Sequence, residues 1–293
     1  MARHVLSPLL RFERAVAAGL VSVLGAGMLA GCSVVEGAPR DAGSERPAAS
    51  AGVLLPTAGM RFDYQIGGGY TPPDGVRAVS RDREDEPAPG LYNVCYVNAF
   101  QTQPGALEWW KSTHPDLLLR DDAGELIIDE GWDEVLLDTS TAARRTQLAE
   151  IVGEWIDGCA ESGFQAVEPD NLDSFERSGG GLTQAHNAAF ATELAERAHD
   201  EGLAIGQKNT TDLLGRHDAI GFDFAVTEEC AQFDECDAYA DAYDDRVFAI
   251  EYEGEGDVGF EESCAGWGDR ISLVLRDLDV LPAGEKGYVY RTC

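Results

Sequence analysis

The sequence predicts a single-domain α/β protein, a (β/α)8 barrel, and three observations carry that expectation. Eight short apolar runs recur along the chain. Amphipathic helical stretches separate most of them. The segment that holds them, residues 59–293, is of roughly the 235-residue size that one barrel requires. The sequence carries no internal repeat and no sign of a second domain.

The expected strands are 61–66, 91–98, 135–138, 164–168, 204–208, 222–227, 247–252 and 271–275. Each is bounded by polar or glycine-containing stretches, as buried strands are. Segment 142–162 places Leu148, Ile151, Val152, Trp155 and Ile156 at helical spacing. Thr183 opens a helix that runs to Glu201 and stops at Gly202, and 234–244 forms a shorter one. Strands alternating with helices imply a parallel sheet, because each helix returns the chain to the same end of the sheet. Segment 71–90, rich in Pro, Asp, Glu and Arg, reads as a first βα loop with a short helix, and 121–132 as a second long loop. Such loops are where barrel enzymes build their sites.

The chain starts with an address. Arg3, Arg11 and Arg14 precede an apolar run from Ala15 to Ala30 that is short and rich in Gly and Ala, as in a signal peptide rather than a membrane span. It ends Leu29-Ala30-Gly31-Cys32, which resembles a bacterial lipobox, so Cys32 is the expected lipidation site and mature N-terminus. Residues 32–58 carry Pro, Ala, Gly and Ser without a helical or strand period and read as a disordered tether. The expected product is an extracellular protein anchored to the cell membrane by lipid, acting as a monomer.

Besides Cys32 there are six cysteines, an even number that favours disulfides in an exported chain. Fifteen pairings are open. Among them, Cys230–Cys236 would close a short loop and Cys264–Cys293 would tie down the C-terminus, leaving Cys95–Cys159. No Cys-x-x-Cys occurs, and His4, His114, His186, His199 and His217 avoid the strand ends, so no zinc or other transition-metal site is expected, and no cofactor.

Net charge is −31, and removing the leader's +2 leaves −33. Only Lys111, Lys208 and Lys286 are lysines. A phosphate backbone would be repelled, which excludes nucleic acid as a ligand. A cationic ligand would be steered inward.

Polar residues end the strands: Gln65, Asn98, Asp138, Glu168 with Asp170 and Asn171, Lys208 with Asn209, Glu228 with Glu229, and Glu251 with Tyr252. Acids at the ends of the expected strands three, four, six and seven would converge on one face of a barrel. Glu168 and Asp170 share a strand face, where crowded carboxylates raise one another's pKa and one can stay protonated. Glycoside cleavage needs such a pair. Trp109, Trp110, Trp132, Trp267, Tyr70 and Tyr252 fall in or near the loops and suit the apolar faces of sugars. Three other chemistries use the same residues: Ca²⁺ or Mg²⁺ binding by the acids with Asn171, a Schiff base on Lys208, as in aldolases, or glycan binding without turnover.

Several of these runs resemble glycoside hydrolase family 114, the endo-α-1,4-polygalactosaminidases. They are Cys95-Tyr96, Trp132 to Asp138, Glu168-Pro169-Asp170-Asn171-Leu172-Asp173, Lys208-Asn209, Phe224 to Cys230, Glu235-Cys236 and Ile250-Glu251-Tyr252, in the family's order. The resemblance implies a (β/α)8 barrel that hydrolyses α-1,4-linked galactosamine polymers, with Asp170 and Glu228 as the catalytic pair. Around them, Gln65, Tyr96, Asn98, Asp138, Glu168, Asn171, Asp173, Lys208, Asn209, Glu251 and Tyr252 are the expected sugar-binding groups. Thr227 and Glu229 depart from the family's usual Asn and Gln, and 98–103 departs from its usual run; these departures bear on the sugar more than on the fold.

Overall fold

The structure, a computed structural model, describes residues 52–254 and 259–293. Cys32, the leader and most of the expected tether lie outside the described residues. Eight parallel strands follow one another around the barrel: β1 (Phe62–Gln65), β2 (Ala78–Asp82), β3 (Tyr92–Asn98), then β6 (Ala166–Asp170), β7 (Ala204–Lys208), β8 (Phe224–Glu228), β9 (Val247–Tyr252) and β10 (Ser272–Arg276). β1 comes back beside β10, so the ring is nearly closed, and β11 (Tyr290–Thr292) pairs antiparallel along β10. The chain spends β4 (Ile128–Asp129) and β5 (Glu134–Val135) on a separate antiparallel hairpin.

Among the described residues six α-helices lie between strands: α1 (Leu107–Thr113), α2 (Ala142–Ser162), α3 (Gln184–Asp200), α4 (His217–Ile220), α5 (Cys236–Ala242) and α6 (Phe260–Trp267). Thr141 and Thr183 cap α2 and α3 by accepting the N–H of Arg144 and His186, and Gly163 ends α2 in a left-handed conformation that glycine adopts without a Cβ clash. None of the described helices is long and apolar enough to cross a membrane.

Period-two alternation sorts the strand residues. Val94, Ala166, Ala204, Phe224, Val226, Phe248, Ile250 and Val274 form the barrel interior. Their neighbours Cys95, Val167, Ile205, Ala225, Ala249 and Leu273 face outward and pack with Leu148, Val152, Phe190 and Leu194 of α2 and α3. Gly206 is required in this interior: a Cβ there would sit 2.8 Å from the Phe224 ring.

Two expected elements are corrected. Segment 71–90 holds no helix; it holds β2, whose Arg81-Asp82 end reads as loop in sequence. Segment 135–138 is not a barrel strand. Val135 belongs to the hairpin, and Leu136 and Leu137 make only isolated bridges to Gln101 and Leu118. The ordered body also begins before residue 59: Val53 and Leu55 pack on the barrel interior, and Tyr92 Oη donates to the Leu54 carbonyl at 2.8 Å. The described residues hold three disulfides, Cys95–Cys159, Cys230–Cys236 and Cys264–Cys293.

Candidate active site

The inward-facing ends of the strands make two stacked layers. The lower comprises Tyr64, Ser80, Glu168 and Lys208, all buried. The upper contains Tyr96, Asp170, Glu228 and Tyr252, at the base of a cleft of about 510 Å³. Lys208 joins the layers. Its Nζ lies 3.0 Å from Glu168 Oε1, 3.3 Å from Asp170 Oδ2 and 3.5 Å from Glu228 Oε2. Side-chain exposure separates the roles: 0% for Glu168 and 1% for Lys208, against 16% for Asp170 and 29% for Glu228. Only the last two can meet a ligand.

Asp170 and Glu228 are held in parallel fashion. Tyr96 Oη donates to Asp170 Oδ2 at 2.7 Å, and the Asn171 N–H donates to Oδ1 at 2.6 Å. Tyr252 Oη donates to Glu228 Oε1 at 2.5 Å, and Asn209 Nδ2 donates to Oε2 at 3.0 Å. Asn209 Oδ1 also accepts the Glu228 N–H at 2.8 Å. Behind each of Asp170, Lys208 and Glu228 the chain turns left-handed, at Asn171 (φ 69°), Asn209 (φ 48°) and Glu229 (φ 57°). Asn tolerates that region; a glutamate there is strained, and such strain clusters at functional sites.

Burial would raise the Asp170 carboxyl, but Lys208, the Asn171 N–H and the Tyr96 hydroxyl outweigh it and hold the group below its ordinary value. Burial would lower Lys208, yet Asp170, Glu228 and Glu168 keep it well above its ordinary value. For Glu168 burial wins over Lys208, and its carboxyl is raised. It takes Tyr64 Oη at 2.9 Å and Ser80 Oγ at 2.7 Å. A charged, enclosed Lys208 is a counter-ion, not the neutral amine that Schiff-base chemistry requires.

The hairpin walls one side of the cleft with Asp129, Trp132 and Glu134, alongside Asp173 and Arg177. Arg177 grips Asp173 with two bonds of 2.9 Å and reaches Asp129 at 2.7 Å. Asn98 Nδ2 donates to Glu134 Oε2 at 2.8 Å, and Asn171 Nδ2 donates to Asn98 Oδ1 at 3.0 Å. Burial, with Asp170 and Asp129 nearby, pushes Glu134 up to about 7 against the Asn98 hydrogen bond and Arg177. Across the mouth stand Ile66, Leu278 and Val280.

Of the expected sugar-binding residues, Tyr96, Asn98, Asn171, Asp173, Asn209 and Tyr252 line the cleft beside Asp170 and Glu228. Five do not. Glu168 and Lys208 lie beneath it. Gln65 turns into a buried network with Asp63 and Arg81. Asp138 follows no barrel strand and caps the next segment through Ser140 and Arg144. Glu251 sits at an outward position of β9 and accepts the Ala231 N–H at 3.0 Å. Among the aromatics, Trp110 is core and packs edge-on against Trp155; Trp267 bonds Asp237 and Tyr70 bonds Asp63. Trp132 and Tyr252 reach the cleft. Sequence reasoning missed Asp82, Asp129 and Glu134. Asp82 carries the same strand-end signal as Asp170 once β2 is recognised.

The family model of glycoside-hydrolase family GH114 matches residues 43–293. The protein belongs to that family. It is therefore a glycoside hydrolase, and a barrel mouth holding two carboxylates on a shared lysine is the arrangement a GH114 member presents here. The fold resembles that of Ega3 from Aspergillus fumigatus, in a crystal structure of its complex with galactosamine: 23% identity over 82% of this chain and 97% of that one, with a TM-score of 0.64. It also resembles the glycoside hydrolase domain of PelA from Pseudomonas aeruginosa, with 15% identity, 77% and 97% coverage and a TM-score of 0.51. No curated protein matches the chain.

Proposed function

We propose that this GH114 hydrolase cleaves α-1,4-linked galactosamine-containing polysaccharide, with Asp170 as nucleophile and Glu228 as acid/base. The observation that carries it is the pair of solvent-reaching carboxylates held on Lys208. The two oxygens at 3.3 and 3.5 Å from Lys208 Nζ lie at most about 7 Å apart, and the 5–5.5 Å separation of retaining enzymes fits within that bound. In this mechanism Asp170, kept ionised by Lys208, attacks the anomeric carbon while Glu228 gives its proton to the leaving oxygen. Glu228 then takes a proton from water, the water oxygen attacks the same carbon, and the bond to Asp170 breaks. Retention follows from the two inversions. The galactosamine bound to Ega3 and the strongly acidic chain both favour an amino sugar. Tyr96, Asn98, Asn171, Asp173, Asn209 and Tyr252 are the proposed sugar contacts.

The purified protein should release reducing ends from partly deacetylated galactosamine polymer, and NMR of fresh product should show the α-anomer first. No reducing ends from any amino-sugar polymer would end this reading; the β-anomer first would recast Asp170 as a base acting through water. By the same inference the chain is exported, its mature form begins at lipidated Cys32, and residues before the barrel serve as the spacer from the membrane.

A further inference from the structure

The acids of the cleft differ in what neutralises them. Asp129 and Asp173 are bound to Arg177, and Asp170 and Glu228 share Lys208. Asp279 is exposed, and the half-buried Asp82 accepts the Glu84 N–H at 2.9 Å. Glu134 is less compensated: Asn98 donates to it and Arg177 stands nearby, but no cation pairs with it directly. It is only 8% exposed, it lines the cleft, and it makes no ion pair among the described residues. Its Oε2 takes the Asn98 bond, while among the described residues no group donates to Oε1. A carboxylate so nearly buried is costly unless a cation joins it.

We propose that Glu134 recognises the ammonium group of a free-amine sugar lying next to the bond that is cut, and so selects deacetylated units of the polymer. The inference rests on the amino-sugar reading above. The bonds from Asn171 to Asn98 and from Asn98 to Glu134 fix this carboxylate relative to Asp170, so the group it holds has a set place beside the nucleophile. A monovalent ammonium suits it better than a metal ion. Among the described residues the only cluster with metal-like spacing is Cys230, Cys236 and Glu251, whose cysteines are joined in a disulfide. N-acetylation removes the positive charge and leaves a single N–H donor, so an acetylated unit would leave Glu134 buried and unpaired. Trp132, at the turn of the same hairpin and 63% exposed, offers an aromatic face beside it.

Glu134→Gln tests this, because glutamine keeps the volume and can still accept from Asn98. On fully deacetylated polymer its KM should rise at least tenfold with kcat within about threefold, while on N-acetylated polymer its KM should not rise. In wild type, the preference for the free amine should weaken as pH falls through about 7, where Glu134 takes up a proton amid Asp129, Asp170, Asp173 and Arg177; the variant should lack that dependence. Equal loss on both polymers, or discrimination kept by the variant, would overturn the proposal. If wild type cleaves no galactosamine polymer, the function reading falls and Glu134 is judged on binding alone. Titration with galactosamine and N-acetylgalactosamine should then show a preference for the free amine that Glu134→Gln removes, and a preference absent from wild type or kept in the variant rejects it.

Discussion

A single ammonium, Lys208 Nζ, has three carboxylates within 3.5 Å, and of the two that reach solvent Asp170 owes its lowered pKa in part to it. Asp170→Ala and Glu228→Gln should each lower turnover by about 10²–10⁴, the range for losing an acid/base group; a variant within about threefold of wild type would displace that residue from its role. Lys208→Met leaves buried carboxylates uncompensated, which costs about 3–5 kcal/mol in denaturant unfolding. The sign of its pH effect follows from Asp170. The folded pKa of Asp170 lies below its unfolded value of about 3.9, so the stability it contributes is present above that value and is lost as pH falls through the folded one. Without Lys208 that loss should begin at higher pH, seen as a raised midpoint of acid unfolding by circular dichroism.

Strand alternation explains which polar residues meet. Residues 168, 170, 208, 228 and 252 stand in register with interior residues of their strands, so their side chains share the barrel axis, whereas Glu251 is one position off and faces the helices. Reading strand ends from sequence therefore locates the mouth but needs the phase of each strand to choose between neighbours such as 251 and 252. β2 escaped because a five-residue strand ending Ser-Arg-Asp has too short an apolar run to show against the charged segment around it. Segment 135–138 misled for the opposite reason: its Val-Leu-Leu is buried, but against loops rather than in the sheet. The disulfide pairing was legible because few pairings suit neighbouring elements. Cys95–Cys159 ties outward-facing β3 to α2 and closes a 64-residue span. Replacing both cysteines by alanine should cost about 2–5 kcal/mol in denaturant unfolding. Turnover at 25 °C should stay within about threefold, since neither cysteine lines the cleft.

The charge of −31 is a property of the whole molecule. It raises the local concentration of a polycation around a cleft that already holds more acids than bases. At this scale stands also the proposed address, the Leu-Ala-Gly-Cys run ending at Cys32. With two acyl chains on that residue the protein should partition with membranes, and Cys32→Ser should release it to the soluble fraction. Partition of the variant at the wild-type level would argue against the anchor.

Sequence by itself determined the barrel, the family and the strand ends that carry Asp170, Lys208 and Glu228. Those depend on local periodicity and on residues adjacent in the chain. Tertiary structure alone decided which acids keep water and which are neutralised. Glu168 is two residues from Asp170, yet one lies sealed under the cleft and the other on its floor. Glu134 is 36 residues from Asp170 and is tied to it through two asparagines. Burial and pairing are set by what the rest of the chain places around a side chain, and spacing along the sequence does not encode them.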